Sequence, residues 1–127
     1  MIGRSSAIAL GLLVVGGLAV VSLGPFPQPD LPGRFESLPH AVAYAVGMLI
    51  ALAATHRDPR QPVRRRDVVI LAASLIAVGA ILELAQRLVG RDVESTDVLA
   101  NALGVVIGVA VWSALRRFVG SAAGRDR

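Results

Sequence analysis

The chain has 127 residues, of which 54% are hydrophobic and 17% charged, and its mean hydropathy is +0.65. A soluble domain is about 45–50% apolar and about 25% charged, so an ordinary soluble domain is excluded, and the length excludes two large ones. The absence of cysteine excludes disulfides and thiolate metal sites, and thirteen arginines without a single lysine, against nine acids, give a net charge of +4.

The apolar excess falls in four blocks: residues 7–23, 38–54, 68–88 and 98–115. A helix rises 1.5 Å per residue and needs about 20 residues to cross roughly 30 Å of hydrocarbon, which these blocks approach or reach. No alternation of period two is present, so helices rather than barrel strands satisfy the backbone in lipid. Arg4 ahead of the first block resembles the start of a signal peptide, but Gly24-Pro25-Phe26-Pro27 follows without a small-x-small cleavage pattern, so a retained helix is expected. Pro25, Pro27, Pro29 and Pro32 make the next segment extended. Ser37 is then the expected N-cap of the second span, with Pro39 in its first turn. The connection 89–96 is short and polar and contains Gly90; Ser95 or Thr96 is the expected cap of the fourth span, with Asp97 suited to its dipole.

Basic residues set the expected orientation. Arg4, the arginines between the second and third spans and those after the fourth make ten on one side, while Arg34, Arg87 and Arg91 make three on the other. The sequence therefore predicts an all-α membrane protein with four transmembrane helices and both termini cytoplasmic. Residues 1–6 form the N-terminal segment, 7–118 the helical domain and 119–127 a disordered cytoplasmic tail. Arg64-Arg65-Arg66 reads as a topology signal meeting anionic headgroups, not as a nucleic-acid site, since no aromatic platform accompanies it.

Polar side chains inside apolar spans are expensive without partners, so each is a functional candidate. His40 and Tyr44 share one face of the second span. Glu83, Gln86 and Arg87 lie near the outer end of the third, and Asp97 and Asn101 near the outer start of the fourth. Tyr44, Glu83 and Asn101 each lie four residues inside an outer partner, about 6 Å down, which predicts one polar level open to the outer leaflet. Arg87 is expected to reach headgroups, and Glu83 to be hydrogen-bonded, paired with Arg91 or His40, or protonated. Gly104-Val-Val-Ile-Gly108 is a GxxxG face, read first as packing within the bundle and second as a dimer contact. Trp112 is expected near the cytoplasmic interface. Two histidines far apart in sequence argue against a zinc cluster, and no cofactor is expected.

Together, Glu36-Ser37-Leu38-Pro39-His40-Ala-Val-Ala-Tyr44 and Glu83-Leu-Ala-Gln86, Arg91, Asp97-(x3)-Asn101-(x2)-Gly104-(x3)-Gly108 resemble the VanZ-like family of small bacterial membrane proteins. The match covers roughly residues 20–115, and its second block is the more specific. Where that family usually carries Asp-Lys, this chain has Glu36 and Ser37: the acid is kept in kind and the lysine is not, with Arg34 close enough in sequence to substitute. The resemblance implies work at the cell envelope of a bacterial cytoplasmic membrane. The family takes its name from a protein linked to resistance to the glycopeptide teicoplanin.

On this reading His40, Tyr44, Glu83, Gln86, Arg91, Asp97 and Asn101 are the expected ligand-binding residues, and Gly104 and Gly108 the packing residues. The expected partners are membrane lipids, a lipid-linked cell-wall component, and a second copy or another membrane protein. No nucleophile with an adjacent base and no phosphate loop appears, so binding is favoured over catalysis. A small proton-coupled exporter and an accessory subunit docking through Gly104 and Gly108 are the alternatives. The exporter wants an acid near the midplane, where this chain has none.

Overall fold

The structure, a computed structural model, describes residues 4–23, 37–56, 64–88, 90 and 95–123. These form four helices: α1 (Arg4–Leu23), α2 (Leu38–Thr55), α3 (Arg65–Leu88) and α4 (Ser95–Ala123). By length and composition α2, α3 and the Thr96–Val119 stretch of α4 are each able to cross a membrane, and α1 holds the shorter apolar stretch Gly11–Val20. This is the build of a multi-pass membrane protein.

The helices outrun the apolar blocks that announced them. α3 takes in Arg65, Arg66 and Asp67, and α4 continues to Ala123, so the first five residues of the expected tail are helical. Arginine and alanine are good helix formers, and neither extension contains proline. An apolar boundary marks where lipid would end, which is a different place from where the hydrogen-bond ladder stops. The proline-rich segment 24–36 and the tail residues 124–127 lie outside the described residues. At the end of α3, Gly90 takes φ +74° and donates its N–H to the Arg87 carbonyl, a left-handed stop that glycine adopts without strain.

Contacts along the helices fix their directions. Gly104 and Gly108 of α4 face Ala41 and Ala45 of α2 in matching order, so these two helices run parallel. Among the described residues they also form the most extensive interface. A Cβ at Gly104 would strike the Ala41 carbonyl, and one at Gly108 would lie 2.7 Å from the Ala45 oxygen and 2.8 Å from Met48 Cβ. The spacing thus lets two backbones of the same chain approach closely. Early residues of α1 meet late residues of α2: Gly11 and Val14 line a groove with Ala51, Ala54 and Thr55, while Leu18 approaches Gly47. The order is therefore up, down, up, down. The start of α1, the end of α2, the start of α3 and the end of α4 share one end of the bundle.

The core is a thin apolar seam of Val14, Leu18, Tyr44, Met48, Leu52, Leu75 and Val105, with Trp112 packed against it. The surface is inverted relative to a water-soluble bundle. Leu12, Leu13, Ile81, Leu84, Leu99, Val106 and Phe118 face outward, while Glu83, Gln86 and Asn101 are buried. In water such a surface would aggregate; in hydrocarbon it is the stable arrangement. Hydroxyls within the spans follow the same logic: Thr55 and Ser113 each donate to the carbonyl four residues earlier, at 2.8 Å.

Candidate functional site

Helical spacing delivers the polar residues to one end of the bundle. On α2, Ser37, His40 and Tyr44 follow one another at intervals of three and four residues. On α3, Gly79, Glu83 and Gln86 do the same, as do Asp97, Asn101 and Gly104 on α4. Because α2 and α4 start at this end and α3 finishes there, the three sets meet.

At the rim, the Ser37 hydroxyl donates to Thr96 Oγ1 at 3.3 Å, joining the starts of α2 and α4. Below it, His40 Nε2 lies 3.9 Å from Asp97 Oδ2, and His40 Nδ1 lies 3.8 Å from Glu83 Oε1. Asn101 ties the layer together. Its amide nitrogen donates to Glu83 Oε1, and its oxygen faces His40 Nδ1, both at 3.3 Å. The floor is Gly79, where a Cβ would stand 3.0 Å from the Tyr44 hydroxyl and 3.1 Å from the Asn101 amide nitrogen. The absence of a side chain there lets Tyr44 and Asn101 lie flush against α3.

Burial grades from rim to floor. The side chains of His40 and Asp97 are 15% and 18% exposed, Glu83 is 7%, and Tyr44 is almost wholly enclosed. Access from outside therefore runs past His40 and Asp97. One carboxylate atom in this buried layer, Glu83 Oε2, has no hydrogen-bond partner. The arrangement presents two carboxylates, an imidazole and an amide, a set that accepts hydrogen bonds or holds a cation. Among the described residues it offers no hydroxyl nucleophile seated on a base.

Of the residues singled out by sequence, His40, Tyr44, Glu83, Asp97 and Asn101 are brought together. Gln86 is buried on the same face of α3, one turn beyond Glu83, and Arg87 is exposed. Arg91 lies outside the described residues, as do Arg34 and Glu36. Glu83 takes its hydrogen bond from Asn101, one of the arrangements open to it. Ser37 occupies the N-cap position of α2, but its hydroxyl makes no capping bond and reaches Thr96 instead. Its backbone carbonyl accepts the Ala41 N–H, and Pro39 removes one of the donors that a capping side chain would have served.

Two features escaped the sequence reading. Gly79 sits one turn before Glu83 on the same face, and that spacing was available as a signal. Counting histidines discounted a metal, yet one histidine and two carboxylates converge: ligand atoms of His40, Glu83 and Asp97 all lie within 4.8 Å of one another. His56, the other histidine, stands at the far end of α2. No protein-family model, curated protein or solved structure matches this chain.

Proposed function

We propose that this chain is a VanZ-like protein of the bacterial cytoplasmic membrane with four spans, α1 among them, and both termini in the cytoplasm. On this reading the polar end of the bundle faces outward and binds the headgroup of a cell-envelope lipid or lipid-linked cell-wall component. The observation that carries it is the convergence of His40, Tyr44, Glu83, Asp97 and Asn101 from three helices at one end of an otherwise apolar bundle. Structural glue needs one interhelical hydrogen bond; five polar side chains gathered at one end of the bundle, with a carboxylate oxygen left unpartnered, is a costlier set than packing requires.

The arginine asymmetry supports the orientation, because the helix ends flanked by Arg4, Arg64–Arg66 and Arg116–Arg117 are those opposite the cluster. The resemblance supports the family, since its spaced residues are largely those that the fold collects. The chemistry of the cluster supports the class of ligand: carboxylates select groups that donate hydrogen bonds, such as sugar hydroxyls or an ammonium, while the acyl or polyprenyl tail lies along the apolar outer faces. Glu83 lies five residues from the end of α3, far from the midplane, which disfavours the exporter alternative.

Native mass spectrometry of the detergent-extracted protein with its co-purifying lipids, wild type beside Glu83→Gln, tests this reading. A specific bound lipid that is retained by the wild type and lost from the variant is the expected result. Identical lipid profiles would reduce Glu83 to a structural acid and overturn the proposal.

A further inference from the structure

The hydrogen-bond pattern around Asn101 has a consequence for what sits between His40, Glu83 and Asp97. Asn101 gives its amide hydrogen to Glu83 Oε1, so its own oxygen is the atom that faces His40 Nδ1 at 3.3 Å. That oxygen only accepts, so Nδ1 carries the imidazole hydrogen and donates it. In the neutral ring Nε2 is then a bare lone pair, and it lies 3.9 Å from Asp97 Oδ2. The remaining Glu83 oxygen, Oε2, is buried and unpartnered, on a residue only 5% exposed. With the ring neutral, Nε2 and the two carboxylates are electron-pair donors, and one ligand atom from each of His40, Glu83 and Asp97 lies within 4.8 Å of the others.

The groups around the cluster come from all three helices. α2 contributes His40 and Tyr44, α3 contributes Glu83 with Gln86, and α4 contributes Asp97, Asn101 and Thr96. Arg87, one turn beyond Glu83, is exposed at the surface of α3. Two carboxylates held in a poorly solvated layer call for a cation.

We propose that His40 Nε2, Glu83 and Asp97 form a binding site for one divalent metal ion of the zinc class. One imidazole and two carboxylates suit such an ion, their two negative charges match its two positive ones, and three protein donors leave a position for water or a ligand oxygen. Donors on a tetrahedral ion at about 2.0–2.2 Å stand about 3.4 Å apart. The present spread of up to 4.8 Å is wider than this by about 1.4 Å, a difference that ion binding would have to close by side-chain rotation. Asn101 is the positioning residue: it sets the histidine tautomer and steadies Glu83, the role that carboxylates and amides behind metal ligands commonly play. This inference rests on the donor geometry alone and holds whatever lipid the site takes.

The test is metal uptake by the tag-free, detergent-purified full chain after chelator treatment and dialysis, with Zn2+ alone as the probe and no lipid added. Calorimetric titration and elemental analysis should find one equivalent per chain. His40→Ala and Asp97→Asn should each weaken binding by more than about 100-fold, and Asn101→Ala by about 10- to 100-fold although it removes no ligand. Zn2+ should raise the unfolding temperature of the wild type and leave that of Asp97→Asn unchanged, which separates lost binding from lost folding. Cobalt substitution of the wild type gives a reading independent of every variant: its visible spectrum should report a nitrogen–oxygen donor set of low coordination number. Absence of saturable uptake, or uptake that His40→Ala leaves intact, would overturn the metal site. With no lipid present, that failure would leave the lipid-binding proposal to its own experiment.

Discussion

Asn101 on α4 donates its side-chain amide to Glu83 Oε1 on α3 at 3.3 Å, so a buried acid on one helix is held by a neighbour on the next. Replacing Asn101 with leucine would strand Glu83 in the bundle. The expected loss of stability is about 1–2 kcal/mol, from the cost of an unsatisfied buried polar group and the size of interhelical hydrogen bonds in membranes. Glu83→Leu combined with Asn101→Leu removes both partners and should recover most of that loss while abolishing lipid binding. Thermal unfolding in detergent of the two single variants and the double variant measures the coupling.

The parallel contact between α2 and α4 leaves no space for a side chain at Gly104. Gly104→Ala would press on the Ala41 carbonyl, which is backbone and cannot swing aside. A loss of about 1–3 kcal/mol is expected from overpacking. Gly16→Ala on α1 meets nothing within 4 Å and should be neutral or slightly stabilising. Comparing the unfolding temperatures of these two variants checks the interface, and equal values would place α4 elsewhere.

Gly79 forms the floor of the cluster without carrying any polar group. Gly79→Ala would crowd the Tyr44 hydroxyl and the Asn101 amide, both ends of side chains that can yield by a few tenths of an ångström. The expected outcome is a folded protein with headgroup binding weakened roughly tenfold, about 1.4 kcal/mol. Tyr44→Phe in the same chain removes the crowded oxygen and should restore part of that binding. A titration of the co-purified lipid against the single and double variants reads both effects.

The orientation is open to a direct check. A fluorescent protein fused after Arg127 should fold and fluoresce in the cytoplasm, and alkaline phosphatase at the same point should stay inactive. Active phosphatase would invert the bundle and put the polar cluster on the cytoplasmic side.

Much of this was legible before the fold. Runs of uncharged residues located the helices because hydrocarbon tolerates little else, and intervals of three and four residues placed His40 with Tyr44 and Asp97 with Asn101. The helix ends were less legible, since Arg65–Asp67 and the residues after Val119 continue a ladder that hydropathy does not report. Spacing also could not say which helices touch. That Gly104 meets Ala41, and that the Ser37 hydroxyl serves Thr96 rather than its own helix, depends on α2 and α4 running side by side, a long-range fact with no local signature. The His40, Glu83 and Asp97 cluster was hidden for the same reason, because its three donors come from three helices.

The claim on which the rest depends is that α2 and α4 bring their polar starts together on the outer face of the membrane. A chain without cysteine makes this measurable in living cells. The Ser37 and Thr96 hydroxyl oxygens are 3.3 Å apart at the rim of the cluster, so cysteine sulfurs at these two positions would be neighbours. In a Ser37→Cys, Thr96→Cys variant the expected result is an intramolecular disulfide formed in intact cells and prevented by a membrane-impermeant thiol reagent added outside. Failure of the two thiols to cross-link under oxidation would contradict the helix pairing, and thiols reached only after the membrane is opened would contradict the outward-facing site.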